Sequence, residues 1–127
     1  MREILFRGKK IYTNEWTEGV AFPHDNNEVA IFSQHPMDGS LVGREVYPET
    51  VGQFTGLTDK NGKKIFEGDI IEHKGKRYSI NYLLHYARFL AVTPNNAPCV
   101  FAYQYGEVIG NIYDNSELLG GVNDETD

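Results

Sequence analysis

Residues 55–71, which read TGLTDKNGKKIFEGDII, contain the turn signals that decide the fold. Asn61-Gly62 favours a tight turn between two strands, because both residues tolerate a positive φ. Asp59 can accept hydrogen bonds from backbone N–H groups further along the turn, as in an Asx turn. Gly68 and Asp69 predict a second bend, which the Asp69 carboxylate is expected to cap. The apolar residues around the two turns are expected to fill a core: Leu57, Ile65, Phe66, Ile70 and Ile71.

The residues that follow this stretch continue the β pattern. Residues 70–73 predict a strand, Lys74-Gly75 a two-residue connector, and residues 76–84 a returning strand with Tyr78, Ile80 and Tyr82 on one face. This succession is typical of a small SH3-like or partly open barrel. Few windows fit a helical period of 3.6, so the predicted fold class is all-β (mainly β).

Further strands are predicted on both sides of the centre. We expect a turn at residues 23–27 and a loop at residues 33–43. A short C-terminal helical turn is expected after Asp114-Asn115-Ser116, with Leu118 and Leu119 folded back and Gly120 as its stop. Residues 83–92 fit a strand or a helix, and the strand is favoured. The other expected strands are 3–7, 16–22, 28–32, 99–105 and 107–113.

Composition and charge limit the domain organisation. The chain has 127 residues, a mass of 14.4 kDa and 40% hydrophobic residues, which is typical of one domain with its own core. Of the 18 acidic residues, five lie in 114–127, where there is no Lys or Arg, so much of the net charge of −6 belongs to this end. We therefore expect a single domain over residues 1–119 and an acidic tail over residues 120–127. No apolar run approaches the ~20 residues of a membrane span, so no membrane contact is expected and the cytoplasm is the expected compartment.

Basic residues are concentrated between residues 60 and 77, where six of them and three acidic residues give a local charge of +3. One interpretation is that these side chains face water at hairpin ends and protect strand edges. The other is a surface for a partner or for nucleic acid. Nearby tyrosines could belong to the core, to a protein interface or to a base-stacking surface. The candidate partner-contact residues are Lys60, Lys63, Lys64, Lys74, Lys76, Arg77, Tyr78 and Tyr82.

No group of residues predicts catalysis, a cofactor or a metal site. His24, His35, His73 and His85 show no metal-ligand spacing. The single cysteine, Cys99, excludes an internal disulfide and is expected to be a buried apolar side chain. Glu67 and Asp69 are interpreted as turn residues rather than as a catalytic carboxylate pair.

Three stretches resemble the YopX family of bacteriophages and prophages. They are residues 1–9, followed by Trp16 and Gly19; residues 48–71, which include TGLTDKNGKKIFEGDI; and residues 108–119, VIGNIYDNSELL. The resemblance spans residues 1 to 119 and departs at Ser116, where the family often has proline. It implies a mostly β fold with an SH3-like element and a bacterial host cell. It transfers no catalytic or ligand-binding residue, so Asp59, Asn61, Gly62, Gly68 and Asp69 are interpreted as structural turn residues.

Two functions are compatible with these features. The first is a non-enzymatic phage or prophage accessory protein that binds a host or phage protein, as a small oligomer. The alternative is a nucleic-acid-binding accessory protein in phage replication or gene control, acting through residues 60–77. An enzyme is not expected, because no nucleophile, base and orienting group occur together.

Overall fold

The computed structural model describes residues 4–120. The mainly β fold and the short helical turn near the C-terminus are confirmed. Four short 3₁₀ turns lie at Asp25–Asn27, Pro48–Thr50, Tyr103–Tyr105 and Ser116–Leu119. The described strands are β1 (Phe6–Lys9), β2 (Trp16–His24), β3 (Glu28–Gln34), β4 (Leu41–Val46), β5 (Gly52–Thr58), β6 (Lys64–Phe66), β7 (Asp69–His73), β8 (Lys76–Leu83), β9 (Arg88–Val92), β10 (Pro98–Cys99) and β11 (Glu107–Asn111).

Over residues 4–120 the two sheets are antiparallel and do not close into a barrel. The SH3-like part of the expectation therefore stays a prediction. None of the helical turns within 4–120 is long and apolar enough to cross a membrane. Glu3 of the predicted strand 3–7 and the predicted acidic tail beyond Gly120 lie outside the described residues, and β1 begins only at Phe6.

The chain divides into two compact units, Met1–Phe54 and Thr55–Asp127. The strand order of unit 1 is β4-β3-β2-β1-β5. Its core contains Ile31 and Val46, both almost completely buried. Gly19 permits close contact of β2 and β3, because an added Cβ would lie 2.1 Å from the Phe32 carbonyl oxygen. A single domain over residues 1–119 stays a prediction.

Unit 2 contains a five-stranded sheet of order β10-β9-β8-β7-β11. A bulge between Val108 and Gly110 shifts the register of β11 against β7. Strand β6 neighbours β5, and the Thr55 hydroxyl donates to the Ile65 carbonyl oxygen at 2.8 Å. The buried cluster of this unit consists of Ile65, Ile71, Ile80, Ala91, Tyr103 and Val108.

Two loop predictions in unit 1 are too long. Residues 33–43 were expected to form a loop, but β3 extends to Gln34 and β4 begins at Leu41. The His35 N–H donates to the Ser40 carbonyl and the Gly39 N–H to the His35 carbonyl, which closes a hairpin. The turn predicted at 23–27 is also shorter, because Pro23 and His24 end β2.

Leu57 does not join the core, in contrast to the prediction, whereas Ile65, Phe66, Ile70 and Ile71 are buried. Phe54 is buried on β5 and Leu57 lies three residues further on, so the alternation of side chains places the two on opposite faces of the strand. Leu57 is consequently 36% exposed.

The predicted strand over residues 99–105 is also wrong. Strand β10 ends at Cys99, and Tyr103–Tyr105 forms a 3₁₀ turn that places Tyr103 in the core. Cys99 is partly exposed rather than buried. Residues 83–92 contain strand as favoured, but a turn separates Leu83 from Arg88.

Candidate functional site

The β7–β8 hairpin carries part of the predicted partner-contact set. Its turn is Lys74-Gly75, with φ values of 52° and 78°. His73 pairs with Lys76 across this turn. Lys74 and Lys76 are both exposed, so two cations lie close together at the end of the hairpin.

Aromatic side chains lie next to these two lysines. The His73 ring stacks on Phe101, with centroids 5.1 Å apart and an interplanar angle of 21°. Tyr78 lies 4.9 Å from the same Phe101 ring. These three rings and the two lysines line an open groove, named here the hairpin groove. Rings beside cations are the chemistry that binds a base and its phosphate.

The other predicted contact residues do not line this groove. Arg77 pairs with Glu72 at 3.2 Å and donates to the Leu118 carbonyl at 3.1 Å. Tyr82 packs edge-on against Phe89, with centroids 5.2 Å apart. The remaining three lysines are exposed around the turn between β5 and β6: Lys60, Lys63 and Lys64.

Asp59 organises the turn between β5 and β6. Its Oδ1 accepts from the Asn61 and Lys63 N–H groups at 2.8 and 2.9 Å, and its Oδ2 accepts from the Val108 N–H at 2.9 Å. Burial raises the pKa of this carboxyl, but the three hydrogen bonds and the Lys63 charge outweigh it, and the pKa lies below its ordinary value. Asp59 therefore remains ionised and holds the turn to β11.

Asp69 has a similar role at the second bend. It is 1% exposed, and its Oδ2 accepts from the Phe66 N–H at 2.7 Å. Gly68 has a φ of +94°, which favours glycine. Both acids thus accept hydrogen bonds from backbone N–H groups at the two turns.

Unit 1 exposes a set of apolar side chains that share one sheet surface. The register places Phe32 opposite Val20 on one side and opposite Gly43 on the other. Side chains two residues apart on a strand share a face. Val20, Phe22 and Leu41 are 51%, 52% and 72% exposed. We name Val20, Phe22, Phe32 and Leu41, which also line one shallow depression, the apolar face.

The rings of the apolar face are held in position by their neighbours. Phe22 and Phe32 meet edge to face, with centroids 5.4 Å apart. Gly43 leaves room for the Phe32 ring, since an added Cβ would lie 2.7 Å from two ring carbons. The face is therefore built on paired strands.

One end of the apolar face carries a histidine between two carboxylates. His24 Nδ1 lies 3.4 Å from Glu28 Oε1, and His24 Nε2 lies 3.3 Å from Glu45 Oε2. These residues come from β2, β3 and β4, and we name them the His24 cluster. Glu45 Oε2 is covered from solvent but has no hydrogen-bond partner.

A family model described as YopX protein matches residues 5–120. The chain belongs to the YopX family. The crystal structure of protein EF1440 from Enterococcus faecalis is similar to this YopX chain, with a TM-score of 0.60 and 27% identity. The match covers 94% of this chain and 99% of that chain. No curated protein matches the chain.

Sequence reasoning missed both the apolar face and the His24 cluster of this YopX chain. The available signal was the alternation of Val20, Phe22 and His24 on β2, which places them on one side. This alternation did not show which side of β2 is exposed, because Ala21, whose side chain points to the other side, is also apolar. Glu45 is distant from His24 in sequence, so only the strand register brings the two together.

Proposed function

We propose that this YopX chain is a non-enzymatic protein-binding module, an accessory protein of a bacteriophage or prophage that binds a host or phage protein in the bacterial cytoplasm. The observation that supports it is the apolar face. Phe22 exposes half of its surface and Leu41 nearly three quarters, although both lie on paired strands. Contiguous exposed apolar side chains on such a surface are typical of interaction sites.

The geometry of the face favours binding of a protruding side chain. Phe22 and Phe32 form two walls at a near-perpendicular angle of 89°. Aromatic side chains held by packing lose little conformational entropy on binding, and aromatic residues are frequent among those that dominate binding energy. An aromatic or branched aliphatic anchor of the partner fits this depression.

The surrounding charge specifies the partner further. On this face the acidic residues of β3 and β4 are Glu28 and Glu45, whereas Glu18 of β2 lies opposite Arg7 of β1. Complementary charge increases association rates and excludes wrong partners. The partner is therefore a protein segment with an apolar anchor flanked by Lys or Arg.

Site-specific cross-linking tests this proposal. A photoreactive p-benzoylphenylalanine replaces Phe22 in the full chain expressed in bacteria, and in a matched control it replaces Tyr12, which is 89% exposed in the same unit. We expect a cross-linked protein specific to position 22, identified by mass spectrometry. That protein is then purified and its binding to the unmodified chain is measured by calorimetry.

Substitutions decide whether the captured protein uses the face. Val20→Glu is expected to weaken binding at least about tenfold, because it places a charge in the apolar contact, whereas Tyr12→Glu leaves it unchanged. Binding should also weaken with added salt. Equal labelling at positions 22 and 12, or equal affinity of the Val20→Glu variant, contradicts the proposal. Cross-linking between two copies assigns the face to a homo-oligomer instead.

The hairpin groove favours a second candidate function, nucleic-acid binding. It combines two exposed lysines with the His73, Tyr78 and Phe101 rings. Single-stranded nucleic acids bind such surfaces by base stacking and phosphate neutralisation. The net charge of −6 restricts this function to a local contact.

Fluorescence anisotropy with labelled oligo(dT) and oligo(U) tests this candidate at about 50 and 200 mM salt. The Lys74→Glu/Lys76→Glu variant is compared with Lys63→Glu/Lys64→Glu, which changes the net charge equally on the neighbouring turn. A groove-specific site predicts loss of binding mainly in the first variant. Equal losses in both variants, or no binding by the unmodified chain, exclude it.

A further inference from the structure

We propose that His24, Glu28 and Glu45 form a binding site for a divalent transition-metal ion of the zinc type. The three side chains offer one ligand atom each, and these atoms lie within 4.8 Å of one another. They come from three adjacent strands, so the sheet register sets their spacing. This site goes beyond the proposed protein-binding function and does not depend on it.

The contacts within the His24 cluster leave a polar atom unsatisfied. Glu45 Oε2 is covered from solvent and has no hydrogen bond, although His24 Nε2 lies only 3.3 Å away. A neutral imidazole carries one N–H, so it can donate to one carboxylate while its other nitrogen directs a lone pair toward the second. Because the two carboxylates contact different ring nitrogens, a cation bound by one nitrogen takes the nearer carboxylate directly and requires the other to turn toward it.

The ligand types favour zinc over magnesium or calcium. Imidazole nitrogen binds Zn²⁺ well, whereas Mg²⁺ and Ca²⁺ prefer sets made of oxygen alone. Three protein ligands leave a fourth position to solvent. Bonds of about 2.0–2.2 Å put tetrahedral ligand atoms about 3.3–3.6 Å from one another, so ligand atoms near the 4.8 Å limit must approach by about an ångström. His24 and Glu28 are 44% and 56% exposed, which leaves them free to turn.

Calorimetric titration of the chelator-treated full chain with ZnCl₂ near pH 7.5 tests the site. We expect one Zn²⁺ per chain, and binding at least about tenfold weaker in His24→Ala and in Glu45→Gln. The matched control is His35→Ala. His35 lies in the same unit and 3.7 Å from the Asp38 carboxylate, so this ion pair offers one carboxylate where the His24 cluster offers two. Its affinity should equal that of the unmodified chain.

Two further measurements complete the test. The His24 imidazole nitrogens should shift on Zn²⁺ addition in ¹⁵N NMR, and a large excess of Mg²⁺ should leave the Zn²⁺ affinity unchanged. Circular dichroism establishes that the variants remain folded. Absence of saturable binding, or equal Zn²⁺ affinity in His24→Ala and the unmodified chain, overturns the proposal.

Zinc binding also has a consequence for the apolar face. Glu28 and Glu45 would be neutralised by the metal, and a partner's basic flank would lose its counter-charges. Zn²⁺ is therefore expected to weaken binding of a partner identified by cross-linking at position 22. The zinc titration itself uses no partner, so either proposal can fail while the other stands.

Discussion

Asp59 links two distant parts of unit 2 through one carboxylate. Replacing it with alanine removes the acceptor for three backbone N–H groups, and the Val108 N–H, which is buried, loses its partner. Leaving one buried donor unsatisfied costs about 1–3 kcal/mol, so Asp59→Ala should lower the free energy of unfolding by about 2–4 kcal/mol. Urea unfolding followed by circular dichroism measures this loss.

The matched control for this residue is Asp25→Ala, at an exposed position. Exposed substitutions usually change stability by less than about 0.5 kcal/mol. If Asp59→Ala behaves like the control, the bond to Val108 contributes no stability in solution.

The lowered pKa of Asp59 also predicts an acid dependence. Burial opposes ionisation, but the bonds from Val108, Lys63 and Asn61 prevail, so the folded pKa lies below the unfolded one. The ionised carboxylate therefore contributes stability that is present above the unfolded pKa of about 3.9 and is lost as the pH falls through the folded pKa. The stability difference between the unmodified chain and Asp59→Asn should shrink below about pH 4. A difference that is constant from pH 6 to pH 2.5 contradicts this origin.

Among the elements, the β2–β3 pair depends on a glycine without a positive φ. A Cβ on Gly19 would lie 2.1 Å from the Phe32 carbonyl oxygen and 2.8 Å from its carbon, both backbone atoms. Gly19→Ala must displace a strand, and we expect a loss of about 2–4 kcal/mol in the free energy of unfolding. Gly39→Ala in the same unit meets no atom within 4 Å and is strained only by its φ of +75°, so it should cost about 1 kcal/mol. Thermal and urea unfolding of the two variants compare these costs, and equal losses would show that the close approach is absent.

The turns of unit 2 could be predicted from sequence because their chemistry is local. The Asn61-Gly62 turn, the Asp59 bonds to Asn61 and Lys63, and the positive φ of Gly68 all depend on residues a few positions apart, whereas the Asp59 bond to Val108 was not predicted. Leu57 was wrongly placed in the core because it is apolar, although its odd spacing from the buried Phe54 puts it on the opposite face of β5. Local chemistry therefore determined the bends but not every side-chain direction.

The apolar face could not be predicted because its strands carry apolar side chains on both sides of the sheet. Phe32 is partly exposed on one side of β3, while its neighbour Ile31 is completely buried on the other. The alternation of side chains along a strand shows which residues share a side, but not which side is buried in the core. The hairpin groove was partly predictable: Lys74, Lys76 and Tyr78 were among the expected contacts, whereas Phe101 comes from a distant part of the chain.

At the scale of the whole molecule, strand β5 (Gly52–Thr58) runs across the point where the chain divides into two compact units. In β5 the Phe54 N–H donates to the Leu5 carbonyl of unit 1 at 2.7 Å, and Thr55 donates to Ile65 of unit 2 at 2.8 Å. Unfolding of either unit removes partners from this strand. The single domain predicted over residues 1–119 should therefore unfold in one cooperative transition.

Residue-specific NMR during urea unfolding tests this cooperativity. Amide signals of Ile31 in unit 1 and of Ile80 in unit 2 should lose intensity at the same urea concentration, because both report the same transition. Ile80→Val shortens a completely buried side chain of unit 2 and should shift both midpoints together, by the equivalent of about 1 kcal/mol. Its counterpart, Ile31→Val, makes the same change in unit 1 and should act in the same way. If each variant shifts only the midpoint of its own unit, the chain consists of two independently folding domains.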